Sequence, residues 1–223
     1  MLLVLLLAGL AGQIRPLPDL PLVEARAAMP GHTLALVMSG DGNWAASVKD
    51  LTRVLNEAGI SVVGIKARTY LTSAPRTPES VTRDVVRILE AYDRPWQVDT
   101  VLMIGYSRGA DILPFVVNRL PAEWTGKLGL LALVSGSVNA SFEFHVTDLL
   151  ANWRRPTDLD LAAEVDRIKT GRVLCLYGSD DENAVCPALR SGRARVLVRP
   201  GGHHLDKDFE ALGGAILAEW RAR

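Results

Sequence analysis

From His32 to the C-terminus the chain repeats one pattern, a short apolar run followed by a longer amphipathic segment. The runs are "TLALVMS" (33–39), "SVVGIK" (61–66), "DTVLMIG" (99–105), "LGLLALVS" (128–135), "RVLCLYG" (172–178) and "ARVLVRP" (194–200). They are short, rich in Val, Leu and Ile, and do not alternate with polar residues, which suits strands buried on both faces of a parallel sheet. Between them, "WAASVKDLTRVLNEAG" carries Val48, Leu51, Val54 and Leu55 at helical spacing, with Gly59 placed to end the helix. "TPESVTRDVVRILEAY" opens with Thr77 as N-cap and Pro78 at the first helical position, and its apolar residues make one stripe. "DKDFEALGGAILAEW" closes the chain with Phe209, Leu212, Ile216 and Trp220 on one face. Strands alternating with helices predict an α/β domain, with about six mostly parallel strands and helices on both faces. Residues 136–170 exceed what one crossover helix needs and are expected to form a small binding insertion.

The N-terminus departs from this pattern. "MLLVLLLAGLAG" is uncharged, and it is too short to span a bilayer comfortably. It reads as the apolar region of a signal peptide, with small-residue cleavage sites at Gly9-Leu10-Ala11 and Ala25-Arg26-Ala27. The proline-rich "QIRPLPDLPLVEARAAMPG" reads as a linker, so residues 1–27 are expected to be signal-like segment and linker, and residues 28–223 the domain. An exported chain could pair its two cysteines, Cys175 and Cys186, across a short loop. Two cysteines at that separation are not a metal site, and no cofactor motif is present. Net charge is zero with the lysines and arginines scattered among acids, which argues against nucleic acid as a partner.

The chemistry starts at "LMIGYSRGAD" (102–111). Ser107 follows an apolar run, opens a helix-like segment and is flanked by Gly105 and Gly109, the setting of a Gly-x-Ser-x-Gly elbow. The glycines permit a tight turn where a Cβ would clash. A serine nucleophile needs a base. Of the four histidines, His203 and His204 in "RPGGHHLDKD" follow the last expected strand, where the order Ser…Asp/Glu…His of α/β-hydrolases puts it. A Gly-x-x-His count selects His204, which is preferred, and a direct Gly-His reading selects His203. His32 and His145 read as structural or surface residues. The carboxylate that orients the imidazole is expected in "LCLYGSDDENAVCP", where a Gly-x-x-Asp count from Gly178 selects Asp181, with Glu182 and Asp180 as alternatives. If Cys175 and Cys186 are bonded, they hold this acid loop in place. The oxyanion hole is expected from the main-chain N–H of Arg108 and of Asp41 in "MSGDGNW" (38–44).

"SGDGNW", "GYSRGADILPFVVNRLP", "FEFHVTDLL", "CLYGSDDENAVCP" and "PGGHHLDKDF" together resemble the bacterial virulence protein VirJ/AcvB family over roughly residues 33 to 220. The resemblance implies an α/β-hydrolase fold, export to the periplasm, the Cys175–Cys186 disulfide, and hydrolysis of lysyl-phosphatidylglycerol, an aminoacylated membrane lipid. It also implies contacts with components of type IV secretion. Ser107 takes the place of the elbow serine, and His203-His204 that of the histidine loop. One departure is Asn183, which stands where the family's loop is expected to carry an acid and leaves the third triad member open. A lysyl group brings positive charge, so Asp111, Glu143, Asp148 and Asp206 are candidates for binding it. Phe142, Phe144, Leu149, Leu150 and Trp153 could meet a lipid surface or pack in the core. A generic carboxylesterase or thioesterase, and a secretion-associated binding protein or chaperone that keeps the fold, are the alternatives.

Overall fold

The computed structural model describes residues 13–143 and 155–222. Each of the six apolar runs forms a strand. They are β2 (Thr33–Met38), β3 (Ser61–Ile65), β4 (Thr100–Tyr106), β5 (Leu128–Val134), β8 (Arg172–Gly178) and β9 (Arg195–Arg199). A further strand, β1 (Leu22–Ala25), brings the sheet to seven in the order β1-β3-β2-β4-β5-β8-β9. All neighbours pair in parallel except β1, which runs antiparallel to β3 with Leu22 opposite Ile65 and Ala25 opposite Val62.

β1 corrects the expected boundary at residue 28. The stretch read as linker contains an edge strand, and Leu20 and Ala27 on either side of it are buried. The Ala27 N–H also bonds to Ser61 Oγ at 3.2 Å. Pro16, Pro18 and Pro21 break the run into a piece of four residues, too short to show a period, yet an edge strand needs only one partner. Of the two expected cleavage sites, only Gly9-Leu10-Ala11 leaves this edge in place. The apolar segment 1–12 itself lies outside the described residues. Among the described residues no helix is long and apolar enough to cross a membrane.

The period of two in the strands divides the core into two layers. Leu34, Leu36, Met38 and Met103 face the layer built with α3 (Pro78–Trp96) and α4 (Arg108–Val117). Ala35, Val37, Leu102 and Ile104 face the layer built with α1 (Ala46–Glu57) and α7 (Phe209–Arg221). α3 begins as expected, because Thr77 Oγ1 accepts the Ser80 N–H, Ser80 Oγ accepts the Thr77 N–H, and Pro78 follows the cap. The insertion 136–170 contributes β6 (Asn139–Ala140) paired with β7 (Leu159–Asp160), then α6 (Leu161–Asp166). Within it Phe142 is buried and meets Phe115 edge to face at 5.4 Å, so it is a core residue and not a lipid contact. His145, Phe144, Asp148, Leu149, Leu150 and Trp153 lie outside the described residues.

Candidate active site

The carboxyl ends of β2, β4, β8 and β9 meet at one crevice, where open α/β sheets place their ligands. β4 ends at Tyr106 and α4 starts at Arg108, so Ser107 must turn the chain in a single residue. It does so at φ 52, ψ −118, a backbone state that costs about 1–3 kcal/mol for a residue with a Cβ. The flanking glycines make the turn possible. A Cβ on Gly109 would lie 2.0 Å from the Met38 carbonyl oxygen, and one on Gly105 would lie 2.5 Å from the Gly109 main chain. Close seating of α4 against β2 and β4 therefore excludes any side chain at either position.

A hydrogen-bonded line runs from this serine. Ser107 Oγ lies 2.9 Å from His203 Nε2, and His203 Nδ1 lies 3.0 Å from Asp181 Oδ2. The carboxylate accepts the Nδ1–H, which leaves Nε2 to accept from the Ser107 hydroxyl. The other oxygen of Asp181 accepts the Asn183 N–H at 3.2 Å, and the Asp181 N–H is bonded to the Gly178 carbonyl, so the acid is held from its own loop. Asp180 and Glu182 are exposed; Asp180 accepts from the Ser179 hydroxyl. Asn183, the departure noted in the family pattern, thus supports the carboxylate with its main chain, a task that does not require an acid.

The preferred base, His204, is not against the serine; its neighbour His203 is. The His204 ring is turned to Tyr106, whose hydroxyl is 3.0 Å from Nδ1, and it meets the His203 ring edge to face at 5.4 Å. Burial pushes the Tyr106 phenol up to about 12, so it stays protonated and donates this bond. The loop turns at Gly201, with φ 92, and not after the second glycine. The chain therefore reaches the serine one residue sooner than a Gly-x-x-His count allows. His32 is exposed, with its Nδ1 2.8 Å from the Gln97 carbonyl, far from the crevice in the fold.

On the opposite wall, Gly40 lies so close to Ser107 that a Cβ there would be 3.0 Å from the serine Cβ and 3.4 Å from Oγ. The next residue, Asp41, lines the cleft beside the start of α4. Its carboxylate accepts from the Arg108 guanidinium at 3.3 and 3.4 Å. The loop is braced behind by Asn43, which takes φ 54 and accepts the Thr69 N–H, and by Trp44, whose ring covers Gly64 of β3. Cys175 in β8 and Cys186 beyond the acid loop are bonded, with Cα atoms 5.6 Å apart. That bond ties the far end of the loop carrying Asp181 to the sheet.

The cleft has a volume of about 710 Å³, within the range of small-molecule sites. Asp111 lines it and is buried, accepting the Ser137 N–H at 2.7 Å. Glu143 and Asp206, the other described candidates for binding positive charge, are exposed and are not among the residues lining the cleft. Several lining residues were not anticipated, among them Tyr106, Ser137, Arg155, Asp158 and Lys207. Tyr106 immediately precedes the elbow serine, so its place beside the site could be read from the sequence, but the contact of its hydroxyl with His204 could not. Ser137 and Asp158 sit in an insertion without periodicity and carry no such signal. Among the described residues no cluster of three His, Cys, Asp or Glu side chains could hold a metal ion.

This sheet order, with a strained serine after its central strand, is the α/β-hydrolase fold. Solved structures similar to the chain have it too. The ferulic acid complex of Est1E from Butyrivibrio proteoclasticus superposes with TM-score 0.65 at 16% identity, covering 92% of this chain and 96% of that one. The esterase domain of a Rhodothermus marinus protein gives 0.59 at 16%, covering 89% and 90%. Proline iminopeptidase from Mycobacterium smegmatis gives 0.62 at 15%, covering 89% and 94%. Residues 32–223 match the family described as bacterial virulence protein (VirJ), and the chain belongs to that family. A comparison with curated proteins returns no match.

Proposed function

We propose that the protein is a serine hydrolase that cleaves the aminoacyl ester of an aminoacylated phospholipid, lysyl-phosphatidylglycerol, in the periplasm. The observation that carries the reading is the unbroken line Ser107–His203–Asp181, with bonds of 2.9 and 3.0 Å. Family membership supports the lipid substrate, and a disulfide between the chain's two cysteines supports an oxidising compartment.

The Ser107 oxygen attacks the lysyl carbonyl carbon while His203 Nε2 takes the hydroxyl proton. Asp181 stabilises the imidazolium and keeps its orientation. The oxyanion is received between the main-chain N–H groups of Arg108 and Asp41, on the wall that Gly40 brings against the serine. The tetrahedral adduct collapses, the imidazolium gives its proton to the departing glycerol oxygen, and phosphatidylglycerol leaves. Water then attacks the acyl-enzyme, His203 takes a proton from it, and lysine is released as Ser107 recovers its own.

The test is lysine or alanine release from vesicles containing lysyl- or alanyl-phosphatidylglycerol, comparing the wild-type chain with S107A. Removing the nucleophile should lower the rate by at least about 10³-fold. No release of either amino acid by the wild type overturns the lipid reading. Rapid turnover of plain short-chain esters in the same preparation would then assign the site to a generic esterase.

A further inference from the structure

Asp111 is a charged side chain the triad does not use. It stands one helical turn beyond Ser107, its N–H bonded to the Ser107 carbonyl at 3.1 Å. Only 4% of the residue is exposed, and that surface lines the cleft. Its direct bond is neutral, because Oδ1 accepts the Ser137 N–H at 2.7 Å. The neighbouring cation, Arg108, has its guanidinium on Asp41. A second carboxylate on the same cleft is held in a similar way. Asp158 Oδ2 accepts the Arg155 N–H at 2.7 Å, while its Oδ1 is buried with no hydrogen-bond partner among the described residues. Asp181 has His203 and Asp41 has Arg108, so among the described residues Asp111 and Asp158 are the lining carboxylates whose direct hydrogen bonds come from main-chain N–H groups alone.

A buried carboxylate without a direct cation is costly, and one N–H does not compensate it. Burial is accordingly the main influence on Asp111, raising its carboxyl to about 7 against the opposing pull of Arg108. An uncharged acceptor could hold Ser137 equally well, so that bond does not explain a carboxylate here. A cationic ligand would. One turn of helix is about 5.4 Å, a span that fits an acyl carbonyl at Ser107 and an amino group a few bonds away at Asp111.

We infer that Asp111 is a specificity-determining residue that receives an ammonium group of the acyl portion, so that the substrates are esters of amino acids with a free amino group. This deepens the aminoacyl-ester reading and rests on it. The carboxylate binds the ammonium in the ground state and through the tetrahedral stage, and takes no part in proton transfer at the carbonyl.

The experiment uses the full chain, wild type and D111N, with the p-nitrophenyl ester of lysine and its Nα,Nε-diacetylated counterpart. Asn retains an oxygen for the Ser137 N–H and removes only the charge. The wild type should prefer the free amine, and D111N should lose about 10- to 100-fold in kcat/KM on it, mostly through KM. The loss on the acetylated ester should stay below about threefold. Wild-type kcat/KM for the free amine should also rise relative to the acetylated ester as pH passes about 7, where the carboxyl gives up its proton. Equal losses on both esters, no loss on either, or a wild type that turns over both without preference overturns the inference. Binding of L-lysinamide to S107A, with and without D111N, reads the subsite even where no ester is turned over. Weakening by about tenfold or more supports the subsite, and equal or absent binding overturns it. Failure of the wild type on both esters with intact lysinamide binding would sink the hydrolase reading alone.

Discussion

The two walls of the cleft handle charge in opposite ways. On the wall built after β8 and β9, polar groups form a line in which each has a matched partner. Asp181, its side chain 8% exposed, holds His203, which is 34% exposed and holds Ser107. On the wall built after β2 and at the start of α4, Asp41 and Arg108 form an ion pair, and beside them Asp111 is buried against a main-chain N–H. The first arrangement serves the cleavage of any ester. On the inference drawn above, the second selects which ester is bound, through a buried Asp111 carboxylate that has no direct cation among the described residues. Each wall has its own brace: the disulfide behind the acid loop, and the Trp44 ring over Gly64 behind the Asp41 loop.

The adjacent histidines offer the largest effect and break the comparison most directly. H203A should lower kcat on a neutral p-nitrophenyl ester by roughly 10⁴-fold, because the base is lost. H204A should cost less than about tenfold, since it removes only a neighbour bonded to the Tyr106 hydroxyl. Steady-state kinetics of the two variants decide the matter. Comparable losses would mean that the first wall is not a single line and that His204 takes a direct part.

The brace of the second wall is the next test. A Cβ at Gly64 would lie 2.0 Å from the Trp44 ring, closer than any real contact, so in G64A the ring must move. Trp44 belongs to the loop that sets Asp41 beside Ser107, and in the proposed mechanism Asp41 is an oxyanion donor whose small displacements are expensive. G64A should therefore lower kcat by about 10- to 100-fold and leave in place the hydrogen bond between His203 and Asp181, read from the downfield Nδ1 proton by NMR. An unchanged kcat would detach Trp44 from the oxyanion side.

Much of this was legible beforehand, for identifiable reasons. Five of the strands are continuous apolar runs because they are buried on both faces, whereas β9, at the sheet edge, leaves Val196 and Val198 exposed and was legible from its Val and Leu content alone. Ser107 stands out because its turn tolerates only glycine two positions away on each side. Asp181 followed from counting along a loop that leaves its strand directly. The same counting failed at His203, because Gly201 turns the loop at positive φ, a conformational choice that the letters Gly-Gly-His-His do not contain. β1 was hidden by its prolines and its length. Asp158 and Ser137 belong to an insertion whose residues meet the cleft through tertiary packing, and no local period encodes that.

The smallest expected effect concerns stability, and it asks whether the second wall really carries uncompensated charge. In the unfolded chain the Asp111 carboxyl ionises near 3.8, whereas in the folded chain burial keeps its proton until about 7. The folded state is the one that binds the extra proton. Asp111 therefore favours folding most below about pH 4, and that contribution is lost as pH rises through about 7. The ceiling on the change is about 4 kcal/mol, at roughly 1.4 kcal/mol for each tenfold change in proton affinity. D111N has no proton to lose, so its unfolding free energy should gain on the wild type by about 1–4 kcal/mol between pH 4 and pH 8 in urea titrations. A variant more stable at pH 8 yet poorer on free-amine esters would tie the cost of the buried charge to its use. Parallel stability curves would instead mean that Asp111 is fully compensated within the fold, and the contrast between the walls would disappear.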